Sequence, residues 1–354
     1  MDNVQQSAGC LEIDLGALAH NWRLLAASAH PATCSAVIKA NGYGLGLEQV
    51  MGALIKAGCH TFFVAHMSEA KRARAVCDRS IIYVLNGLMV DTIPLYVDLN
   101  VRPVIGSMDE WHEWHAYIAS CQKDTHPLAA LHIDTGMNRL GITVEQAREI
   151  SAATTHHLSI FSLVMSHLRS AEDWHDAITL QQIADFEIMH RLFPQVPASL
   201  SNSSGIFRNE KPFYDMVRAG YALYGGNPTP HLPNPMAHVI TLKARIVQVR
   251  DVRKGDRVGY NGTWQAQKDG NLAVLSVGYA DGYPRAASAS DDKREHHVPV
   301  GYAIIAGVKC PFAGRVSMDL LTVDVSDVPQ SAIKRGDWAT LIGEGLYLDR
   351  RAHV

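Results

Sequence analysis

Lys39 ends a short apolar run and precedes a glycine-rich turn in the stretch AVIKANGYGLG, residues 36–46. A lysine amine that is held in place and partly desolvated forms Schiff bases with carbonyl compounds, including pyridoxal phosphate. The glycines that follow leave backbone N–H groups open to an anion the size of phosphate. The alternative is a surface lysine at the end of a strand, and the rest of the chain has to decide between the two.

Other polar residues also follow apolar runs, where strands are expected to end. They are Asp134 leading to Arg139, His167, Asn202 with Ser203, and Arg218. Packing does not explain so many polar strand ends, which together indicate a pocket surrounded by a lysine, other cations and hydrogen-bond donors. The segments SNSSG (201–205) and RAGYALYG (218–225) add hydroxyl groups and flexible backbone, which suit a phosphate at the last two strands of a barrel. The alternative for SNSSG is an ordinary loop with a helix cap.

The elements that would carry these residues alternate between apolar runs and helical patterns over the first two thirds of the chain. Continuous apolar runs are typical of parallel strands covered on both faces, and runs followed by helices favour a (β/α)₈ barrel with its active site at the strand C-termini. No GxGxxG motif follows the first run, which disfavours a dinucleotide-binding fold. The runs lie at 34–39, 61–65, 81–85, 102–106, 128–134, 158–167, 198–202 and 214–218, and the helical patterns at 47–58, 68–77, 107–121, 143–153 and 177–193.

A proline-rich patch, NPTPHLPNP at 227–235, predicts a linker, and the pattern changes after it. Alternating strands without long helices follow, from VITLKARIVQVRDV to GDWATLIG. The fold class is therefore α/β, with residues 1–235 forming a TIM-like (β/α)₈ barrel and residues 236–354 a C-terminal, mostly-β domain.

Composition and charge exclude several classes of protein. A net charge of −3 gives no electrostatic reason to bind nucleic acid or an anionic membrane. No apolar run approaches the length of a membrane span, and the N-terminus lacks the regions of a signal peptide. Six scattered cysteines without a CxxC motif suit reduced thiols and a cytoplasmic location. His112 and His115 share a helical face without a third ligand, so no metal site is expected.

A series of motifs along the chain resembles those of alanine racemases, which are pyridoxal phosphate enzymes of fold type III. The motifs are AVIKANGYGLG, HIDTGMNRLG, SNSSG, RAGYALYG, VGYN, SVGYADGYPR and AGRVSMDLLTVDV, and the match covers most of the chain. The resemblance implies pyridoxal 5'-phosphate as cofactor and interconversion of L-alanine and D-alanine, which supplies D-alanine for peptidoglycan. It also implies a head-to-tail homodimer in which each active site joins one subunit's barrel to the other's β domain.

The resemblance implies two bases on opposite faces of the substrate. Lys39 resembles the lysine that binds the cofactor covalently and acts as one base, and Tyr260 resembles the second base, reaching in from the partner subunit. Opposed bases remove the Cα proton from one face and return a proton to the other without turning the substrate. His167 is implied to link Tyr260 to Arg218, and Arg218 resembles the arginine that hydrogen-bonds the pyridine nitrogen. Because arginine keeps its proton, the cofactor is a weaker electron sink and transamination is disfavoured.

The other implied contacts hold the cofactor and the substrate. Arg139 resembles the residue that contacts the phenolic oxygen of the cofactor and the carboxylate of the substrate. The implied cofactor contacts further include Tyr43, Asn202, Ser203 and the backbone of Gly220 and Tyr221, and the implied substrate contacts are Met318, Asp319 and Tyr279, the last in the entry corridor.

Two features depart from the family pattern. Where this chain has His132, many family members carry a lysine that can be carbamylated to orient the arginine matching Arg139. Histidine cannot form that carbamate, so we expect an anion such as chloride, or a neighbouring residue, to orient Arg139. The chain also lacks the family's C-terminal phosphate-binding tyrosine, so we expect a truncated second domain with Tyr43 as the remaining tyrosine at the phosphate.

Two alternatives stay open. A racemase of another small amino acid such as serine is compatible with the missing entrance tyrosine, and relative turnover of L-alanine and L-serine separates the two. A non-catalytic pyridoxal phosphate-binding protein shares the barrel, but Tyr260, Met318 and Asp319 in the second domain argue against it.

Overall fold

The computed structural model of the chain describes residues 7–120, 126–153, 160–289 and 301–343. They divide into two compact units, residues 15–237 and the described parts of 1–14 and 238–354. Strand β1 (Gly9–Ile13) belongs to the second unit, because it pairs antiparallel with a strand that follows the whole barrel. The sequence-based boundary at residue 235 gives these first residues to the barrel instead, since no local pattern reveals so distant a partner.

The first unit is a nearly closed barrel of parallel strands. The strands are β2 (Thr33–Val37), β3 (Thr61–Val64), β4 (Ile81–Val84), β5 (Arg102–Ile105), β6 (Ala129–His132), β7 (Phe161–Met165), β8 (Ala198–Ser199) and β9 (Met216–Ala219). They are hydrogen-bonded in the order β8-β7-β6-β5-β4-β3-β2-β9. Between β8 and β9, Asp215 N–H donates to Ala198 C=O at 3.1 Å and Arg218 N–H to Ser201 C=O at 2.9 Å. The predicted (β/α)₈ barrel is confirmed.

Helices follow most of the barrel strands. They are α1 (Leu15–Ala29), α2 (Lys39–Tyr43), α3 (Leu47–Ala57), α4 (Met67–Val76), α5 (Ile93–Asp98), α6 (Met108–Ser120), α7 (Val144–Ala153) and α8 (Ile178–His190). The helices predicted from apolar spacing correspond to α3, α4, α6, α7 and α8. Gly58 ends α3 with a φ of 114°, a conformation that glycine adopts without steric cost. The turn α2 is not an ordinary helix and is described with the site.

Large side chains fill the barrel interior, so it is a packed core rather than a pore. Phe63 and Tyr83, from β3 and β4, stack with ring centroids 4.7 Å apart. The buried interior side chains are Val37, Phe63, Tyr83, Val104, Ala130, Leu163 and Met165. These side chains fill the space between the strands, as expected for the core of such a barrel.

The second unit is built on an antiparallel sheet, which confirms the predicted β-rich domain. Its strands are β1, β10 (Ile240–Val252), β13 (Gly270–Leu275), β14 (Tyr302–Ile305), β15 (Val308–Pro311), β16 (Leu321–Asp324) and β17 (Trp338–Ile342), while β11 (Arg257–Val258) and β12 (Trp264–Gln265) form a separate pair. The order is β15-β14-β17-β10-β13-β16, with β1 also paired to β10. In the part of the chain that the structure describes, no helix has the length and apolar character needed to cross a membrane.

Candidate active site

The turn that carries Lys39 runs through left-handed backbone. Ala40, Asn41, Gly42 and Tyr43 have φ of 53°, 57°, 64° and 55°, and Gly44 follows at 87°. Glycine accepts this region freely, but each other residue type pays about 1 kcal/mol or more for it. The side chain of Asn41 supports the turn, since its Oδ1 accepts Leu47 N–H at 3.2 Å and Arg72 Nη2 at 2.7 Å. The chain therefore bends sharply just beyond β2.

Lys39 lies in an environment that favours the neutral amine. Burial lowers its pKa, the Arg139 guanidinium lowers it further, and the Glu69 carboxylate opposes both. A lysine whose ammonium form is destabilised is a better base and nucleophile at neutral pH than one in water. Lys39 is thus more than a surface lysine that ends a strand.

Arg218 is a buried cation without a carboxylate partner among the described residues. Its side chain is 3% exposed. Nη1 donates to the Ser199 carbonyl at 2.9 Å and to Ser199 Oγ at 2.6 Å, while Nη2 donates to the carbonyls of Ser166 and Leu200. Burial lowers the pKa of Arg218 to about 10, which leaves it charged at neutral pH. Backbone dipoles from β7 and β8 therefore hold one positive charge at the strand ends.

Two histidines near this cation are held neutral. Burial, followed by the charge of Arg218, lowers the pKa of His132 to about 4 and that of His167 to about 3. Arg139 and Lys39 also act on His167, so these five groups form one electrostatic cluster. The structure brings His167 near Arg218 but, within the described residues, gives its ring no hydrogen-bond partner.

Asp134 shapes the turn that carries Arg139. Its Oδ1 accepts the N–H groups of Gly136 and Met137, both at 2.9 Å, and its Oδ2 accepts Asn138 N–H at 3.0 Å. Arg139 itself is exposed and makes no ion pair with any described side chain. Neutral His132 carries no negative charge that could pair with Arg139.

Hydroxyl and backbone N–H groups, here called the phosphate cradle, gather at the ends of β8 and β9. Ser203 Oγ accepts Gly220 N–H at 2.9 Å and Ala222 N–H at 3.2 Å. The Tyr43 hydroxyl lies over Gly220, because a Cβ built there would be 2.8 Å from it, and the Tyr43 ring stacks on Tyr224. Asn202 is placed beside the cradle, where its Oδ1 accepts Gly205 N–H at 3.0 Å. Hydroxyls, N–H groups and a glycine without a side chain are the surroundings that bind phosphate.

The remaining predicted site residues lie in the second unit. Tyr260 begins a short 3₁₀ helix and is 69% exposed. Tyr279 N–H donates to Ser317 C=O at 3.1 Å, and the Met318 carbonyl accepts Ala280 N–H at 3.0 Å. Met318, the adjacent Asp319 and Tyr279 are also exposed. The structure thus brings Tyr279 and Met318 together on this unit.

Residue patterns at strand ends miss two buried polar side chains of this site. Gln182, on α8, donates from Nε2 to the His167 carbonyl at 2.9 Å, and its Oε1 accepts Arg169 N–H at 2.9 Å. Glu69, on α4, contacts the backbone beside Lys39. Each occupies the buried stripe of its helix. A polar residue at an apolar helical position is the signal that could have found both.

The donor set fits pyridoxal phosphate. A lysine with a lowered pKa follows β2, the phosphate cradle lies at the ends of β8 and β9, and β9 carries a buried arginine. A carbonyl-bearing aromatic ring with a phosphate requires groups of these kinds. Within the described ranges, no three His, Cys, Asp or Glu side chains gather as they would around a metal ion.

Comparisons with known proteins agree with this geometry. The family model described as "Alanine racemase, N-terminal domain" matches residues 13–228, and the model of the C-terminal domain matches residues 239–353. The chain is 50% identical over 340 residues to the alanine racemase of Methylobacterium sp. strain 4-46, covering 96% of this chain and 90% of that protein.

Solved structures of similar proteins also match over nearly the whole chain. The alanine racemase of Bartonella henselae with covalently bound pyridoxal phosphate superposes with a TM-score of 0.86 at 33% identity, covering 95% of this chain and 91% of that one. The biosynthetic alanine racemase of Pseudomonas aeruginosa gives a TM-score of 0.88 at 30% identity, covering 98% and 94%.

Proposed function

The chain belongs to the alanine racemase family, and from that premise we propose that it interconverts L-alanine and D-alanine with pyridoxal 5'-phosphate and two bases. Lys39 is the first base, and Tyr260 of a second copy of the chain is the other. The single observation that carries the proposal is the cluster of Lys39, Arg139, His167 and Arg218 beside a phosphate cradle.

Pyridoxal phosphate, when bound, withdraws electrons and so stabilises the charge left at the substrate Cα when its proton is removed. Ser203 Oγ and the backbone of Gly220 and Tyr221 would hold its phosphate, with Tyr43 and Asn202 alongside. Support comes from the fit of these donors and from the relative of Bartonella henselae, which carries that group covalently.

Lys39 is a stronger candidate base near neutral pH than a lysine in water. Its lowered pKa leaves a larger fraction of the amine free to accept the Cα proton. Arg139, exposed and without an ionic partner among the described side chains, has donors for the substrate carboxylate. Together they orient the substrate and accept its proton on one face.

Arg218 fixes the charge at the other end of the site. A guanidinium whose pKa is still about 10 donates hydrogen bonds without giving up a proton. We assign it to the pyridine nitrogen, where it keeps electron withdrawal modest and favours return of a proton to Cα. His167, held neutral beside it, can pass a hydrogen bond onward to a phenol such as Tyr260 without adding charge.

Tyr260 is the second base, on the face opposite Lys39. Its exposure, shared by Tyr279 and Met318, is that of groups able to complete a site in another subunit. We therefore propose a homodimer with shared active sites, located in the cytoplasm and supplying D-alanine for peptidoglycan.

Turnover of the two amino-acid substrates tests the proposal. The full chain is incubated with pyridoxal phosphate and L-alanine, and D-alanine is measured by chiral chromatography, with L-serine in parallel. We expect D-alanine to form faster than D-serine, and Lys39→Ala to abolish both reactions. Preferential racemisation of serine would reassign the substrate, and no racemisation by the wild-type chain would refute the function.

A further inference from the structure

We propose that Glu69 is a positioning residue of the Lys39 site. Its single carboxylate fixes the left-handed turn that carries Lys39 and Tyr43, and it supplies the negative charge that offsets Arg139 at the lysine amine. The inference rests on the proposed function, because it assigns Glu69 a part in presenting the proposed base and the proposed phosphate contact.

The carboxylate of Glu69 joins the segments that follow two adjacent barrel strands. Oε1 accepts Asn41 N–H at 2.9 Å, in the turn after β2. Oε2 accepts Ala65 N–H at 2.9 Å and His66 N–H at 3.4 Å, in the segment after β3. The side chain is only 9% exposed, and hydrogen bonds to an ionised acceptor are stronger than those between neutral groups. Glu69 therefore couples the position of the Lys39 turn to a neighbouring strand.

The turn depends on such an anchor because its own backbone is strained. Gly42 N–H donates to Ile38 C=O at 2.9 Å and Gly44 N–H to Ala40 C=O at 2.8 Å, but Asn41 N–H is held by Glu69. Ala40, Asn41 and Tyr43 are not glycines, so without that bond their left-handed backbone has less to hold it. A shift of the turn would move Tyr43 away from Gly220, where its hydroxyl now lies.

Glu69 also contributes to the charge balance at Lys39. The charged groups that act on the amine are Arg139, which disfavours the ammonium form, and Glu69, which favours it. His167 is coupled to Lys39 but neutral, and Arg72 interacts electrostatically with Glu69. Loss of the carboxylate charge must therefore lower the pKa of Lys39 beyond the lowering that burial and Arg139 already cause.

The chain contains a matched control in Glu110, on α6. Its Oε1 accepts Leu88 N–H at 3.0 Å and its Oε2 accepts Gly106 N–H at 2.6 Å, so it joins the segments after β4 and β5 in the same way. Glu110 is not among the groups that act on Lys39. Its substitution therefore removes a carboxylate clamp of the same kind away from the amine.

Three variants of the full chain separate the effect of the charge of the Glu69 side chain from the effect of its length. Glu69→Gln keeps the length but removes the charge and turns an amide towards backbone donors, Glu69→Asp keeps the charge but is too short to span both segments, and Glu110→Gln is the control. The pKa of Lys39 is measured on the chain freed of pyridoxal phosphate, by competitive acetylation across pH with mass spectrometry. Pyridoxal phosphate affinity is measured by fluorescence titration. Thermal unfolding shows that each variant is folded.

We expect Glu69→Gln to lower the pKa of Lys39 and both Glu69 variants to weaken pyridoxal phosphate binding about tenfold, the loss of roughly one charge-assisted hydrogen bond. In Glu69→Asp the pKa of Lys39 should stay close to the wild-type value. Glu110→Gln should leave both the pKa of Lys39 and the affinity for pyridoxal phosphate unchanged. If Glu69→Gln had the same Lys39 pKa and the same pyridoxal phosphate affinity as Glu110→Gln, the inference would be overturned. A wild-type chain that binds no pyridoxal phosphate would contradict the proposed function instead, while the Lys39 titration would still decide the part of Glu69.

Discussion

Acid should destabilise the folded chain through two buried histidines, His132 and His167. In the folded state their pKa values are about 4 and about 3, against 6.5 in an unfolded chain. Burial is the larger cause for both, and the charge of Arg218 comes next. Since the folded pKa values are depressed, the unfolded state binds more protons below pH 6.5. The contribution of each histidine to stability is therefore complete above pH 6.5 and is lost as the pH falls towards the folded pKa.

The size of the effect follows from the proton uptake of the unfolded chain. At about pH 5 an unfolded histidine is almost fully protonated while both folded histidines remain largely neutral, so each costs about 2 kcal/mol relative to neutral pH, at 1.36 kcal/mol per pH unit. Both histidines together should therefore lower the free energy of unfolding by about 4 kcal/mol. Carboxylates also make the stability depend on pH. Because the wild type and a single-histidine variant share that contribution, it cancels when the two are compared.

Urea unfolding of the wild type and of single variants at neutral and acidic pH measures this contribution. His132→Asn and His167→Asn should each lose about 2 kcal/mol less on acidification than the wild type. His20→Asn, at an exposed position on α1, should lose as much as the wild type. If all the chains lost the same free energy, the two histidines would not be buried in the neutral form, and the assignment of His167 as an uncharged link would fall.

Further substitutions test the cradle, the buried cation and the buried amide. Gly220→Ala should weaken pyridoxal phosphate binding about tenfold, because its Cβ would lie 2.8 Å from the Tyr43 hydroxyl. Gly52→Ala, where a Cβ meets nothing within 4 Å, should leave the affinity unchanged. Equal affinities of the two variants in a titration would contradict the role of the cradle. Arg218→Lys has too few donors for the carbonyls around it and should lower the free energy of unfolding in urea by about 1–3 kcal/mol, so an unchanged value would mean that those carbonyls find other donors. Gln182→Leu leaves the His167 carbonyl without its donor and should cost about 1–3 kcal/mol in the same assay, and wild-type stability there would remove its role in holding the His167 segment.

The sequence predicts the barrel because local patterns are sufficient for it, and the roles of the site residues stay predictions. Continuous apolar runs identify the strands, and Lys39, Ser203 and Arg218 are polar residues at or just after the ends of those runs. The pairing of β1 with β10 is not predictable in this way, because the whole barrel separates the two strands.

The conformation of the Lys39 turn is predictable only in part. Gly42 and Gly44 indicate left-handed backbone in the sequence. Ala40 and Tyr43 adopt the same conformation although their residue types disfavour it, and a contact from helix α4 holds the turn. A search for polar residues at strand ends does not find Glu69 and Gln182, because both lie on helices. They contact backbone groups that are distant in sequence.

The sharing of each active site between two chains is the central claim, and mixing two inactive variants tests it most directly. Lys39→Ala and Tyr260→Phe chains are purified separately, mixed in equal amounts, dissociated and reassociated, and racemisation of L-alanine is measured. In a mixed dimer, one site joins the intact Lys39 of one chain to the intact Tyr260 of the other, so about a quarter of wild-type activity should return if exchange is complete. If Lys39 and Tyr260 served the same site from within one chain, every site would lack one base, and the mixture would stay inactive.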